Sequence, residues 1–134
     1  MLKALITLPL IAYMTMSVAI ADSFWNHNGS TMRLKDNGKY RVFIYEIPSA
    51  KMQSTGVKKG TLLFNGERIG DKYYGTARVF SKYCDYPISY TVKGNVYDGP
   101  KVVLMGTRPS YDAGCKANGK ITTDKLVFTY LYSE

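Results

Sequence analysis

The sequence has 134 residues, a formal net charge of +8 at pH 7, 46% hydrophobic residues, one histidine and two cysteines. This length suits one domain that buries its own core without a metal. A single histidine and two widely spaced cysteines do not fit the usual zinc or dithiol redox motifs, so we expect no metal and no cofactor. The positive charge favours anionic partners but indicates nothing about the fold.

The first 21 residues follow the pattern of a secretory signal peptide. Lys3 precedes a short apolar run (residues 4–20), which ends in Ala19-Ile20-Ala21 immediately before Asp22. The run is shorter than the roughly 18 to 20 apolar residues of a membrane-spanning helix, and no basic cluster follows it. We therefore predict cleavage near Ala21–Asp22, export to the periplasm or the medium, and a processed chain (22–134) of one domain that does not span a membrane.

Turn dipeptides divide the rest of the chain into short segments rich in β-branched and aromatic residues. The dipeptides are Asn28-Gly29, Asn37-Gly38, Asn65-Gly66, Asp98-Gly99 and Asn118-Gly119. Such pairs tolerate the positive φ of tight hairpin turns. The segments between them are predicted strands at Phe24–His27, Thr31–Lys35, Tyr40–Glu46, Gly60–Phe64, Tyr73–Ser81, Ile88–Lys93, Lys101–Thr107 and Leu126–Tyr132.

No window has a helical apolar period, so the pattern predicts an all-β protein. Short connections between consecutive strands favour a small antiparallel barrel of about eight strands in up-and-down order, of lipocalin- or avidin-like architecture. Gly75, Gly94 and Gly106 are expected inside or at the ends of strands, where they allow a small barrel to coil. Pro48–Lys59 and Pro109–Lys125 are predicted to be loops.

The two cysteines, Cys84 and Cys115, are predicted to form one structural disulfide, because an even count in an exported chain is typical of a disulfide framework. They are 31 positions apart. On the chain-entropy model, closing such a loop stabilises the fold by about 3 to 4 kcal/mol.

Residues for catalysis are few. A hydrolase would use His27 as a general base and Ser30 as the nucleophile. Glu46 is the third candidate, because it ends a predicted strand, whereas most of the other carboxylates lie in predicted turns. No orienting carboxylate is indicated, and no nucleophile elbow G-x-S-x-G is present. We therefore favour a non-enzymatic protein and keep a small secreted hydrolase as the alternative.

The tyrosine content is larger than a small core requires and indicates a binding surface or cavity. With the basic residues it points to an anionic envelope component, a small ligand or a protein as the partner, and export argues against nucleic acid. A lysozyme inhibitor is a further alternative, although a basic inhibitor would meet a basic enzyme with like charge. The predicted ligand-binding residues are Trp25, His27, Asn28, Ser30, Tyr45, Tyr74 and Tyr90.

Two resemblances arise from these segments. Trp25-x-x-Asn28-Gly29-Ser30-x-Met32-x-Leu34 resembles the first strand of avidin-type barrels; biotin binding is not implied, since Trp25 is the only tryptophan. The chain also resembles a group of small exported alphaproteobacterial (rhizobial-type) proteins of unknown function, which implies an exported location and a shared fold. The segments that carry this second resemblance are Trp25–Leu34, Gly56–Phe64, Tyr74–Ala77 and the spaced Cys84 and Cys115.

Overall fold

The computed structural model describes Pro9 and residues 21–134, and within this part of the chain it contains eight strands and one short helix. The predicted signal peptide lies outside the described residues, apart from Pro9 and Ala21. The elements are β1 (Ala21–His27), β2 (Ser30–Asn37), β3 (Tyr40–Ile47), α1 (Ala50–Ser54), β4 (Leu62–Ile69), β5 (Lys72–Val79), β6 (Ile88–Tyr97), β7 (Lys101–Asp112) and β8 (Lys116–Ser133).

Each strand pairs antiparallel with the next strand along the chain, and β8 pairs with β1 to close the barrel. The register places Trp25 opposite Met32 in β2 and opposite Tyr130 in β8. Closure removes the exposed edges that an open sheet of this size would leave. The prediction of an antiparallel up-and-down barrel of about eight strands with one disulfide is confirmed.

The alternating strand directions give the barrel two different ends. The β1–β2, β3–β4, β5–β6 and β7–β8 connections lie at one end, which we call the mouth. The other three connections, together with the start of β1 and the end of β8, lie at the opposite end. The longest connections, residues 48–61 and 80–87, are both at the mouth, so most of the irregular chain available to shape a site is there.

The inward side chains of β3 show how the interior is layered. Arg41, Phe43 and Tyr45 alternate with outward residues and run from the far end towards the mouth. Phe43 stacks on Phe128 with ring centroids 4.0 Å apart in the middle of the core. At the far end, Arg41 donates to the carbonyl of Gly38 at 2.6 Å. This hydrogen bond helps to satisfy a guanidinium that fills the end opposite the mouth.

Glycines inside the strands allow the sheet to coil tightly. Gly66 and Gly75 face each other in the β4–β5 pair. A Cβ atom built on Gly94 would come closer than 3.0 Å to the carbonyl of Val103, which no real side chain tolerates. Strand glycine is otherwise unfavourable, so its presence here marks a close approach of two backbones.

Three predicted irregular regions are wrong, for one physical reason. Asn65-Gly66 is not a turn but lies within β4, and the turn follows at Gly70. Pro109–Lys125 is not a loop: β7 and β8 pair through most of it and turn only at residues 113–115. Asn118-Gly119 lies at a bulge inside β8, where Gly119 has φ +83°. Asn-Gly marks positive φ or close packing, and both occur within strands as well as in turns.

The predicted loop Pro48–Lys59 contains the short helix α1. The Ser49 hydroxyl caps α1 by accepting from the Met52 amide at 3.2 Å. Val57, in the same connection, is 3% exposed and belongs to the core. Five helical residues are too few to produce an apolar period, so only the Ser49 cap signals the helix in the sequence.

The disulfide Cys84–Cys115 joins the β5–β6 connection to the β7–β8 turn, both at the mouth. It confirms the predicted pairing. Among the described residues, no helix has the length and apolar character needed to cross a membrane.

Candidate functional site

A cavity of about 370 Å³ opens at the mouth of the barrel. All eight strands contribute to its lining, with one to three residues each. The walls combine apolar side chains with an unusual number of cations. The lining residues are His27, Asn28, Ser30, Tyr45, Lys51, Met52, Leu63, Arg78, Val79, Phe80, Tyr90, Arg108, Asp124, Lys125 and Leu126.

The structure brings most of the predicted ligand-binding residues to this cavity. Five of the seven line it: His27, Asn28, Ser30, Tyr45 and Tyr90. Four of them come from the adjacent strands β1, β2 and β3 and the β1–β2 turn, and curling of the sheet into a barrel brings Tyr90 of β6 to the same cavity. The two others, Trp25 and Tyr74, do not line it.

Trp25 and Tyr74 lie elsewhere for different reasons. Trp25 is 6% exposed and packs edge-on against Phe43 and Tyr130 in the core. Its indole Nε1 donates to Ser23 at 2.8 Å, which uses its one polar atom. Tyr74 points outward from β5 and is 41% exposed. Trp25 is therefore a core residue, and Tyr74 belongs to a different surface.

Tyr45 carries an unpartnered hydroxyl at the cavity. The residue is 2% exposed, and its ring meets Phe80 edge-on at 6.0 Å. Burial raises the pKa of Tyr45 to about 12, so the phenol stays protonated at neutral pH. Tyr45 lines the cavity, and its hydroxyl has no hydrogen-bond partner among the described residues. The phenol is therefore a neutral donor at the cavity wall.

His27 presents an acceptor to the same cavity. Its Nδ1 lies 2.9 Å from the carbonyl of Val127. A carbonyl can only accept, so Nδ1 holds the proton of the neutral ring and Nε2 is left with a lone pair. Burial lowers the pKa of His27, and the hydrogen bond to Val127 opposes this shift only in part. The imidazole stacks on Phe128 at 4.5 Å, which fixes its plane.

The residues of the hydrolase alternative are not arranged for catalysis. His27 and Ser30 are register partners, but the Ser30 oxygen accepts from the Ser49 amide at 2.9 Å and the bonded nitrogen of His27 is directed at Val127. Glu46 faces outward from β3 and pairs with Arg33 at 3.1 Å and with Lys59 at 3.2 Å. The structure does not bring the three side chains together.

Glu46 is held in its charged form on the outer wall. Burial raises the pKa of Glu46, but hydrogen bonds and charge from Lys59 and Arg33 outweigh it, and the pKa is lowered overall. Such a carboxylate is a structural ion-pair partner and a poor general acid or base at neutral pH.

An ion pair and a tyrosine form the polar side of the cavity. Arg108 donates from Nε to Oδ2 of Asp124 at 2.6 Å, and both side chains are less than a quarter exposed. The Arg108 guanidinium lies 6.0 Å from the centre of the Tyr90 ring. Burial and the neighbouring Asp124 carboxylate raise the pKa of Tyr90 well above its usual value.

The remaining charged lining residues are all positive. Lys51, Arg78 and Lys125 form no ion pair with any residue in the described part of the chain. Asp124 is the one acidic residue of the lining, and Arg108 already pairs with it. The cavity therefore has an uncompensated positive charge, which favours an anionic occupant.

Sequence reasoning missed the residues on β7, β8 and the β3–β4 connection. Arg108 and Asp124 fall in or beside Pro109–Lys125, which was predicted to be a loop, so neither was assigned to an inward face. Extending the alternation of Val102 and Leu104 by two steps would have placed Arg108 on the inner face of β7. Lys51 and Met52 had no comparable signal, because they reach the cavity from α1.

No metal site is formed among the described residues by three or more His, Cys, Asp or Glu side chains. The chain was also compared with protein-family models, with curated proteins and with solved structures. No match was found in any of the three. The resemblances to avidin-type barrels and to the exported alphaproteobacterial proteins therefore stay predictions.

Proposed function

We propose that this protein is a non-enzymatic binding protein that holds a small organic anion with an apolar body in the mouth of its barrel. The observation that carries the proposal is the Tyr45 hydroxyl. It is a neutral donor on an almost completely buried residue that lines the cavity, and it has no hydrogen-bond partner in residues 21–134. A buried donor without a partner costs folding free energy, and a ligand acceptor would satisfy it.

The apolar part of the proposed ligand follows from the walls. Leu63, Leu126 and Phe80 provide aliphatic and aromatic surface around Tyr45. The cavity thus has an apolar part beside its polar and charged side chains, which suits a ligand with an apolar body and a polar group. The volume of about 370 Å³ is at the small end of small-molecule sites and suits a compact molecule of up to about three rings.

The charge of the proposed ligand follows from the lining. Lys51 and Lys125 supply positive charge at the cavity, and the acid Asp124 is occupied by Arg108. The Tyr45 hydroxyl donates to the anionic group. Nε2 of His27 accepts from a hydroxyl or amine of the ligand, since it has no proton of its own at neutral pH.

The proposal includes the exported location that the first 21 residues predict. In the periplasm or medium, a stable barrel closed by a disulfide would capture or carry its ligand outside the cytoplasm. The mouth cavity is too small for a macromolecule, so an envelope polymer or a protein partner would bind elsewhere on the barrel.

The proposal is tested with two fluorescent probes that share their rings. One is 1-anilinonaphthalene-8-sulfonate, and the other is N-phenyl-1-naphthylamine, which lacks the sulfonate. We expect saturable binding of both at one site and tighter binding of the sulfonate. Tyr45→Phe removes the donor and should weaken sulfonate binding by about tenfold, with little effect on the amine probe.

The matched control is Tyr86→Phe, which removes a hydroxyl from a tyrosine that is 63% exposed and does not line the cavity. Its affinity for the sulfonate should not change. Tyr45→Phe should leave the free energy of unfolding unchanged or raise it by up to about 1 kcal/mol, because it removes an unpartnered group. Equal affinity of Tyr45→Phe and the native protein for the sulfonate, or no saturable binding at all, would overturn the proposal.

A further inference from the structure

A second concave surface lies on the outer wall of the barrel, away from the mouth. It is a groove of about 340 Å³ that crosses β5, β6 and β7. The register places Tyr74, Lys93 and Met105 side by side across the three strands. Lys72, Asn95 and Val103 form the next row. We name these six residues, together with Gly94 and Tyr97, the outer groove.

Gly94 is one of the residues that line the groove. The backbone of β6 approaches Val103 of β7 so closely at this glycine that a Cβ atom there would overlap the Val103 carbonyl.

Charge in the outer groove is of one sign. Lys72 and Lys93 line it, neither has an ion-pair partner among residues 21–134, and no acidic residue belongs to the lining. Like charges in one groove with no counter-charge favour an anionic ligand.

Aromatic rings flank these lysines. Tyr74 is 41% exposed and Tyr97 is 48% exposed, and Asn95 donates to the Tyr97 hydroxyl at 3.2 Å. Tyr74 is level with Lys93, so the Cα positions of the two tyrosines are separated along the strands by about four residues, or roughly 13 Å. Two exposed tyrosines at this spacing suit an extended polymer of ring-shaped units better than one small molecule, because each tyrosine offers a separate stacking face.

We infer that the outer groove binds an acidic polysaccharide, in which uronic acid carboxylates pair with Lys72 and Lys93 while sugar faces stack on Tyr74 and Tyr97. The amide of Asn95 lies between the rings and is available to sugar hydroxyls. This site is separate from the mouth cavity: the two share no lining residue. The inference does not depend on the proposed small-molecule ligand.

Binding is measured with the whole protein by titration calorimetry against three polymers: oligogalacturonate, neutral dextran and polyphosphate. We expect oligogalacturonate to bind more tightly than dextran, which lacks charge, and more tightly than polyphosphate, which lacks sugar rings. Tyr97→Ala should weaken oligogalacturonate binding roughly three- to tenfold, since one stacking partner is lost. Lys93→Gln should weaken it and reduce its sensitivity to salt.

Tyr86→Ala is the control, because Tyr86 is an exposed ring, 63% against 48% for Tyr97, that lies at the mouth and outside the groove. Its affinity should equal that of the native protein. Polyphosphate binding as tight as oligogalacturonate would show that charge alone attracts the polymer, and it would overturn the inference. Equal weakening by Tyr86→Ala and Tyr97→Ala would also overturn it, because the effect would not be specific to the groove. Loss of binding in Tyr45→Phe alone would overturn it too, because the polymer would then bind at the mouth.

Discussion

Arg108 and Asp124 are joined across β7 and β8 by a guanidinium–carboxylate contact of 2.6 Å between Nε and Oδ2. Both side chains are largely buried at the mouth cavity. Charges in such a position are stable as a pair and costly when one of them is left alone. The pair therefore links β7 to β8 at the wall of the cavity, beside the Tyr90 ring.

Replacing one member of this pair should destabilise the protein. Arg108→Met or Asp124→Leu alone is expected to lower the free energy of unfolding by about 1 to 3 kcal/mol, since each leaves a mostly buried charge unpaired. The double variant should recover much of this loss. Urea denaturation measures all three. As the comparison pair, Lys39 and Glu67 are 3.7 Å apart with side chains that are 59% and 41% exposed, so Lys39→Met should cost less than about 1 kcal/mol.

His27 should make stability depend on pH. Burial lowers the pKa of the folded imidazole below 6.5, so the unfolded chain takes up a proton at a pH where the folded protein does not. The contribution of His27 to stability is therefore complete above about pH 6.5 and is lost as the pH falls towards the folded pKa. His27 is the only histidine, so the free energy of unfolding between about pH 7.5 and 5.5 reports on it directly.

The control for this prediction is His27→Asn, whose side-chain amide nitrogen is bonded to Cγ as Nδ1 is, so that it can still donate to the Val127 carbonyl but does not titrate. We expect the variant to lose the slope in this pH range. The same decline in the variant and the native protein would mean that the pH dependence arises from another group.

The fold was predictable because local signals and global closure agree in this chain. Alternation in Ile88–Val92, turn dipeptides at Asn28-Gly29 and Asp98-Gly99, and an even number of cysteines all favour short antiparallel strands with one disulfide. Each signal depends on neighbouring residues only, which is what sequence patterns report well.

The site was predictable only in part, because it is assembled by closure. Residues near the predicted turn, such as His27 and Ser30, were found because the turn itself was evident. Arg108 was not assigned to the site, because Asn118-Gly119 and Pro109 suggested a loop where the chain forms a paired hairpin with a bulge. Tyr74 was included because it is aromatic, and only the register shows that it faces outward.

Gly94 should not tolerate a side chain. A Cβ atom would overlap the backbone of Val103, so Gly94→Ala must push β6 and β7 apart. We expect a loss of about 2 kcal/mol or more in the free energy of unfolding, as for an overpacked core. Ser89→Ala, at an exposed position of the same strand, should change stability by less than about 0.5 kcal/mol. Similar losses in both variants would show that the strand is sensitive to substitution in general rather than at Gly94.

Removing the disulfide should destabilise the barrel through its unfolded state. The bond closes a loop of 31 positions between the β5–β6 connection and the β7–β8 turn. The double variant Cys84→Ser with Cys115→Ser is expected to lose about 3 to 4 kcal/mol on the chain-entropy model. Urea denaturation of the native protein with and without reductant provides the control: the reduced protein should match the double variant. A reduced protein as stable as the oxidised one would mean that the bond constrains little of the unfolded chain. The paired β7–β8 hairpin would then be held at the mouth by packing and by the Arg108–Asp124 contact alone.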